Sequence, residues 1–158
     1  PADVESRQAI ATRAWEAIAT VPGFGESGAR AKTVLAQPVV TKAVAKLVFD
    51  LAFGRRRDAD DDRNLDTLLS RLHSIDFSHS NPCWRYYEMS EGARVEANLG
   101  SLKDYLPAED GSNRDIGRFD PVNQWMRFGA KHNDIYPIIG DMLRWQIGLP
   151  PRHKRAAE

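Results

Sequence analysis

Apolar residues recur at helical spacing over most of the chain. In residues 3–20, Val4, Ile10, Ala14, Trp15 and Ile18 follow a helical period behind Asp3 as N-cap. Val21-Pro22-Gly23-Phe24-Gly25 breaks it. In a second segment, 29–53, Val40, Val44, Leu47 and Leu51 fall on one face, which Val39, Ala43 and Val48 widen. A helix this apolar is expected at the centre of the fold. Pro38 either kinks it or is the N1 residue of a helix opening near Gln37, and Gly54 is expected at C′. Leu65, Leu68, Leu69 and Leu72 predict the next helix.

Residues 74–82 read as a loop or short extended stretch. Asn81-Pro82 then caps a short helix through Cys83, Trp84, Tyr87 and Met89, which Gly92 interrupts. Val95, Leu99, Leu102 and Leu106 predict a helix over 93–106, ended by Pro107. Residues 107–119 are the longest polar loop. Asp120-Pro121 repeats the cap-plus-proline pattern, and Val122, Trp125 and Met126 follow it as a helical segment. Asn133-Asp134 with Pro137 starts a last helix carrying Ile138, Ile139, Met142, Leu143 and Ile147, which Gly148-Leu149-Pro150-Pro151 stops. Few segments show sustained alternation of β-branched residues, and no internal repeat is present. The expectation is an all-α fold, an irregular bundle of about six helices around one core, over 1–151, with a basic flexible tail at 152–158.

Composition narrows the function classes. The 158 residues carry 22 Lys+Arg and 22 Asp+Glu, so bulk positive charge is excluded as a way to coat nucleic acid. A single cysteine, Cys83, excludes a disulfide scaffold and fits a reducing cytoplasm. The sequence holds no apolar run of membrane-spanning length and no visible signal peptide. It opens on Pro1-Ala2-Asp3 without Met, and a processed chain or part of a longer protein is expected.

Catalytic signatures are sparse. The four histidines (His73, His79, His132 and His153) are scattered, and no zinc spacing is present. Asp58, Asp60, Asp61 and Asp62 offer hard oxygen ligands, but they lack the glycine and terminal glutamate of a calcium loop. A solvated turn between helices explains them better. Cys83, in the first turn of an apolar helix, reads as a small core residue rather than a nucleophile, although a helix N-terminus lowers a thiol pKa. No cofactor is expected. The four tryptophans Trp15, Trp84, Trp125 and Trp145 are expected on apolar helical faces in the core. The best base-stacking candidate among them is Trp84-Arg85-Tyr86-Tyr87.

Basic residues gather at Arg55, Arg56 and Arg57, at Arg127, Lys131 and His132, and at Arg144 with Arg152, Lys154 and Arg155. Each group lies at or after a helix C-terminus, where cations complement the dipole. If the groups converge, a neutral protein still presents a positive face. The candidate DNA-contacting residues are therefore Arg55, Arg56, Arg57, Arg85, Arg127, Lys131, Arg152, Lys154 and Arg155.

The segment Ile75-Asp76-Phe77-Ser78, then Asn81, Trp84, Met89, Arg94 and Val95, resembles the C-terminal region of the DGQHR-domain (DndB-like) family of DNA sulfur modification. Val34 to Val40 leading into the Ala/Leu-rich helix is similar to a family helix, with Gln37 and Pro38 in place of a His-Gly pair. The Asp-Gly-Gln-His-Arg motif itself does not occur, so no role of that motif transfers. The resemblance implies a non-catalytic helical domain in bacterial DNA modification or defence, contributing to DNA binding or to regulation of phosphorothioation. Ile75, Asp76, Phe77, Asn81 and Trp84 would be its scaffold. The partners implied are DNA, an N-terminal domain of the same protein, or a second copy; none is a membrane. A protein-interaction or oligomerisation domain is the alternative. A metal-dependent hydrolase using Asp58–Asp62 with His73 or His79 ranks last.

Overall fold

The computed structural model describes residues 2–55, 57–107 and 115–152. Arg56, most of the expected 107–119 loop, and the 153–158 part of the expected tail, with Lys154 and Arg155, lie outside the described residues. Among the described residues are six α-helices: α1 (Ala2–Ala19), α2 (Ala29–Lys32), α3 (Pro38–Phe53), α4 (Asp61–Arg71), α5 (Glu91–Glu96) and α6 (His132–Gln146). Short 3₁₀ turns at Val34–Ala36, Leu72–Ser74, Pro82–Glu88 and Gly100–Asp104 link them. One antiparallel hairpin, β1 (Gly117–Asp120) and β2 (Trp125–Phe128), completes the fold. The architecture is mainly helical, and "all-α" overstates it by this hairpin.

The central helix is α3. Pro38 occupies its first turn, where the missing N–H is no loss. Val39, Val40, Ala43, Val44, Leu47, Val48 and Leu51 are buried against α6, α4 and α1. Its many valines are weak helix formers, so packing rather than propensity holds it. Gly54 ends α3 in an extended conformation (φ −63°, ψ 148°), not the left-handed one common after helix ends. An added Cβ there would run into the Asp50 carbonyl. The acidic run begins α4: Asp61 and Asp62 sit in its first turn and Arg71 in its last, as the dipole favours.

Four expectations are corrected. Residues 93–106 are not one helix. Asn98 adopts a left-handed φ of 59°, and Leu99 N–H closes α5 onto the Arg94 carbonyl at 2.8 Å. Leu99, Leu102 and Leu106 still reach the core, but Val95 is exposed. Asp120-Pro121 does not cap a helix. Asp120 Oδ1 accepts the N–H groups of Val122 (2.9 Å) and Asn123 (3.2 Å), which makes the hairpin turn. The last helix starts at His132, so Pro137 lies inside it and forfeits one ladder bond. Of the tryptophans, Trp84 is fully buried, but Trp15 is 60% exposed and Trp125 lies on a strand.

Asp141, on α6, is a buried carboxylate with Arg152 Nη2 at 3.0 Å on one oxygen. The other oxygen has no hydrogen-bond partner among the described residues. Burial raises its pKa to about 6 against the pull of Arg152. The folded state therefore holds the proton more tightly than the unfolded chain. Stability is fully present at low pH and falls as pH rises from about 4 through about 6, by about 3 kcal/mol. We expect Asp141→Asn to remove this dependence and to unfold at higher urea than wild type at pH about 8. Urea melts at four pH values check both.

Candidate nucleic-acid interface

The site is built by docking the hairpin onto the helical core. Phe119, Met126 and Phe128 alternate with Arg118 and Arg127, so the strands have one apolar and one polar face. The register sets Phe119 opposite Met126 and Arg118 directly opposite Arg127. Met126 is fully buried, and Phe128 meets Trp84 edge-to-face with centroids 6.1 Å apart. At Gly117 (φ 153°) the strands approach so closely that a Cβ would run into the Arg127 carbonyl.

Two side chains pair with the outer edge of β2 in place of a third strand. Gln37 Nε2 donates to the Met126 carbonyl at 2.7 Å, and its Oε1 accepts from Phe128 N–H at 3.0 Å. Met126 N–H donates to His79 Nδ1 at 2.9 Å. That leaves His79 Nε2 carrying the hydrogen, which it donates to the Arg30 carbonyl at 2.6 Å. His79 also stacks on Trp125, with centroids 5.7 Å apart and planes 16° apart.

The loop that supplies His79 is tied down by its neighbours. Val34 N–H donates to the Phe77 carbonyl at 2.8 Å, and Asp76 Oδ1 accepts from Ser78 N–H at 2.9 Å. Asn81 Oδ1 accepts from Cys83 N–H, while its amide donates to the Asp76 carbonyl and to Gln146. Trp84 Nε1–H donates to the Ser78 carbonyl at 3.0 Å and stacks on Phe77. Ile75 and Phe77 are buried beside it. These residues of the 75–84 segment form the shelf on which the hairpin rests.

On the outward face, Arg127 lies over the Trp125 ring at 4.7 Å. A hollow of about 320 Å³ opens beside it, lined by Arg30, Arg127 and His132 together with Trp125, Gln37 and Pro38. None of its lining residues is a carboxylate. Asp120 lies 3.6 Å from Arg127. Hydrogen bonds from the Asn123 side chain and backbone hold its carboxyl below the usual range, so it stays ionised. Arg118 and Lys131 have no carboxylate partner among the described residues. A second hollow, about 720 Å³, shares Gly129 with the first and contains Lys131 and Arg152, but Asp115 and Asp134 also line it.

Of the expected contacts, Arg127 lines the first hollow, while Lys131 and Arg152 line the second, where Arg152 is held by Asp141. The other candidates go elsewhere. Arg57 is held at the α3–α4 turn by the Leu51 carbonyl (2.9 Å) and Asp62, and Arg55 is exposed next to that turn. Neither lines these hollows. Arg85 sits 4.1 Å from the Phe119 ring centroid. The stacking candidate Trp84 is ruled out by burial, because its 3₁₀ turn drives the ring into the core. Arg30, Arg118 and Trp125 were not singled out as contacts by the sequence, and His132 was named only within the basic group of Arg127 and Lys131.

Among the described residues no group of three or more His, Cys, Asp or Glu is placed to hold a metal ion. The acidic run is occupied with its own turn: Asp58 Oδ1 accepts Asp60 N–H, Asp61 accepts Asp58 N–H, and Asp60 pairs with Arg63. Burial, then the nearby Asp76, pushes the Cys83 thiol well up, so it is protonated and not a nucleophile. No helix of the described residues is long and apolar enough to cross a membrane. Comparison with protein-family models, curated proteins and solved structures finds no match to this chain.

Proposed function

We propose that this chain is a non-catalytic domain that contacts nucleic acid through the phosphate backbone. On the resemblance of its 75–95 region, it would serve as a helical domain of a DndB-like DNA-modification or defence protein, supporting DNA binding or regulation of phosphorothioation. One observation carries the reading. Arg118 and Arg127 stand directly opposite each other on the solvent face of a two-stranded sheet. Like charges in that position destabilise a sheet by a few tenths to about 1 kcal/mol. An approaching phosphate turns that repulsion into attraction, and Arg30 in the adjoining hollow extends the same field. Contacts of this kind set position and affinity without reading sequence.

Fluorescence anisotropy with labelled duplex DNA tests it. With Arg30, Arg118, Arg127 and Lys131 each neutralising about one phosphate, affinity should fall about 100-fold between about 50 and about 200 mM salt. The Arg118→Ala/Arg127→Ala double variant should lower the log–log salt slope by about 2. No binding at low salt, or binding without a salt slope, contradicts the proposal.

A further inference from the structure

A second surface lies away from the hairpin, and it does not depend on the nucleic-acid reading. On α1, Arg7, Ile10, Ala11, Ala14, Trp15 and Ile18 share one face. With Thr41, Ala45, Val48, Phe49 and Phe53 of α3 they enclose a hollow of about 390 Å³. Trp15 is 60% exposed, touching Phe24 only edge-on, and Phe49 is 42% exposed. Val4, 51% exposed, continues the stripe. Arg7 is the only charged residue lining the hollow, and its guanidinium lies 5.8 and 5.3 Å from the Phe49 and Phe53 ring centroids. One face therefore carries a projecting indole, a hollow lined partly by alanine methyls, and a cation already resting on rings.

We propose that this face binds a second copy of the chain, as a twofold dimer with the two α1 helices antiparallel across Ala11. A twofold interface must be complementary to itself. Arg7 and Trp15 lie equally far on either side of Ala11, so antiparallel pairing sets Arg7 of each copy against Trp15 of the other. Each cation gains an aromatic face. Each indole enters the hollow beside Phe49 and Phe53. Ala11, exposed and small, lets the helices approach to about 8 Å. An 18-residue helix is about 27 Å long, and two helices side by side are about 18 Å wide. Each copy then contributes about 500 Å², the low end of specific interfaces, which fits a reversible dimer with Kd on the order of 1–100 µM.

Sedimentation velocity from about 1 to about 500 µM tests this. The 17.7 kDa chain should shift with concentration toward twice that mass. Ala11→Glu, which sets two carboxylates against each other on the axis, should weaken the dimer at least about 100-fold. Ala9→Glu, exposed on the opposite side of α1, should leave it unchanged. As a measurement independent of that variant's folding, Ala11→Cys should form a symmetric disulfide under mild oxidation and Ala9→Cys should not; the native Cys83 is buried. A wild-type chain that stays monomeric throughout overturns the proposal and leaves the groove to another protein. An Ala11→Glu dimer as tight as wild type, or Ala9→Cys cross-linking as fast as Ala11→Cys, also overturns it.

Discussion

Trp84→Ala should lower the stability of the chain by about 4–5 kcal/mol, with a melting temperature about 10–15 °C lower. The indole is fully buried, stacks on Phe77, and meets Phe128 of the hairpin edge-on. Truncation leaves a cavity where the loop carrying His79, the 3₁₀ turn and the hairpin meet, and these cannot all collapse into it. It also removes the Nε1–H donor to the Ser78 carbonyl, adding about 1 kcal/mol. Trp84→Phe keeps most of the ring but not the donor and should cost about half as much. Trp15→Ala, which removes an exposed indole, should change stability by less than about 1 kcal/mol. Urea unfolding at constant m-value separates the three, and a Trp84→Ala loss below about 1 kcal/mol contradicts the packing described.

His79→Ala should cost about 2–4 kcal/mol, and the loss should be local. The imidazole accepts from Met126 N–H and donates to the Arg30 carbonyl, so it joins β2 to the residues around α2. Met126 is fully buried, and without His79 its N–H faces no acceptor and no water. Trp125 loses its stacking partner at the same time. The helical core, centred on α3 and α6, does not use His79. Far-UV circular dichroism should therefore stay near wild type, while hydrogen exchange quickens across β1 and β2. The salt slope of DNA binding should flatten, because Arg118 and Arg127 no longer hold a fixed place. Uniform loss of protection across α3 and α6 would show instead that the hairpin is part of the cooperative core.

The helices that carry long apolar stripes were legible from the residues alone. Pro38 opens α3, and Asn81 caps the Pro82–Glu88 turn, because each acts through its own backbone neighbours. The failures share a physical origin. The spacing of Val95, Leu99, Leu102 and Leu106 is satisfied equally by a continuous helix and by two short turns hinged at a left-handed Asn98. Asp-Pro serves an N-cap and a turn alike, and only four residues per strand were left to show period two. Trp15 sits at a core-like position of α1, yet its exposure depends on how far α3 extends beside it. Arg127 and Lys131 could be grouped from sequence because they are close in the chain. Arg30 and Arg118 could not, since tertiary packing alone brings them to one face. The Arg55–Arg57 run was the densest basic signal, yet Arg57 is held within the turn after α3.

The most direct test is an N–H correlation spectrum titrated with duplex DNA at low salt. Four tryptophans give four indole signals, and two lie on informative surfaces. The Trp125 indole and the amides of Arg30, Arg118, Arg127 and His132 should move together and return as salt is added, while the Trp15 and buried Trp84 indoles stay fixed. Movement confined to α1 and α3, or no movement at the hairpin under conditions where DNA is bound, would contradict the assignment of this face.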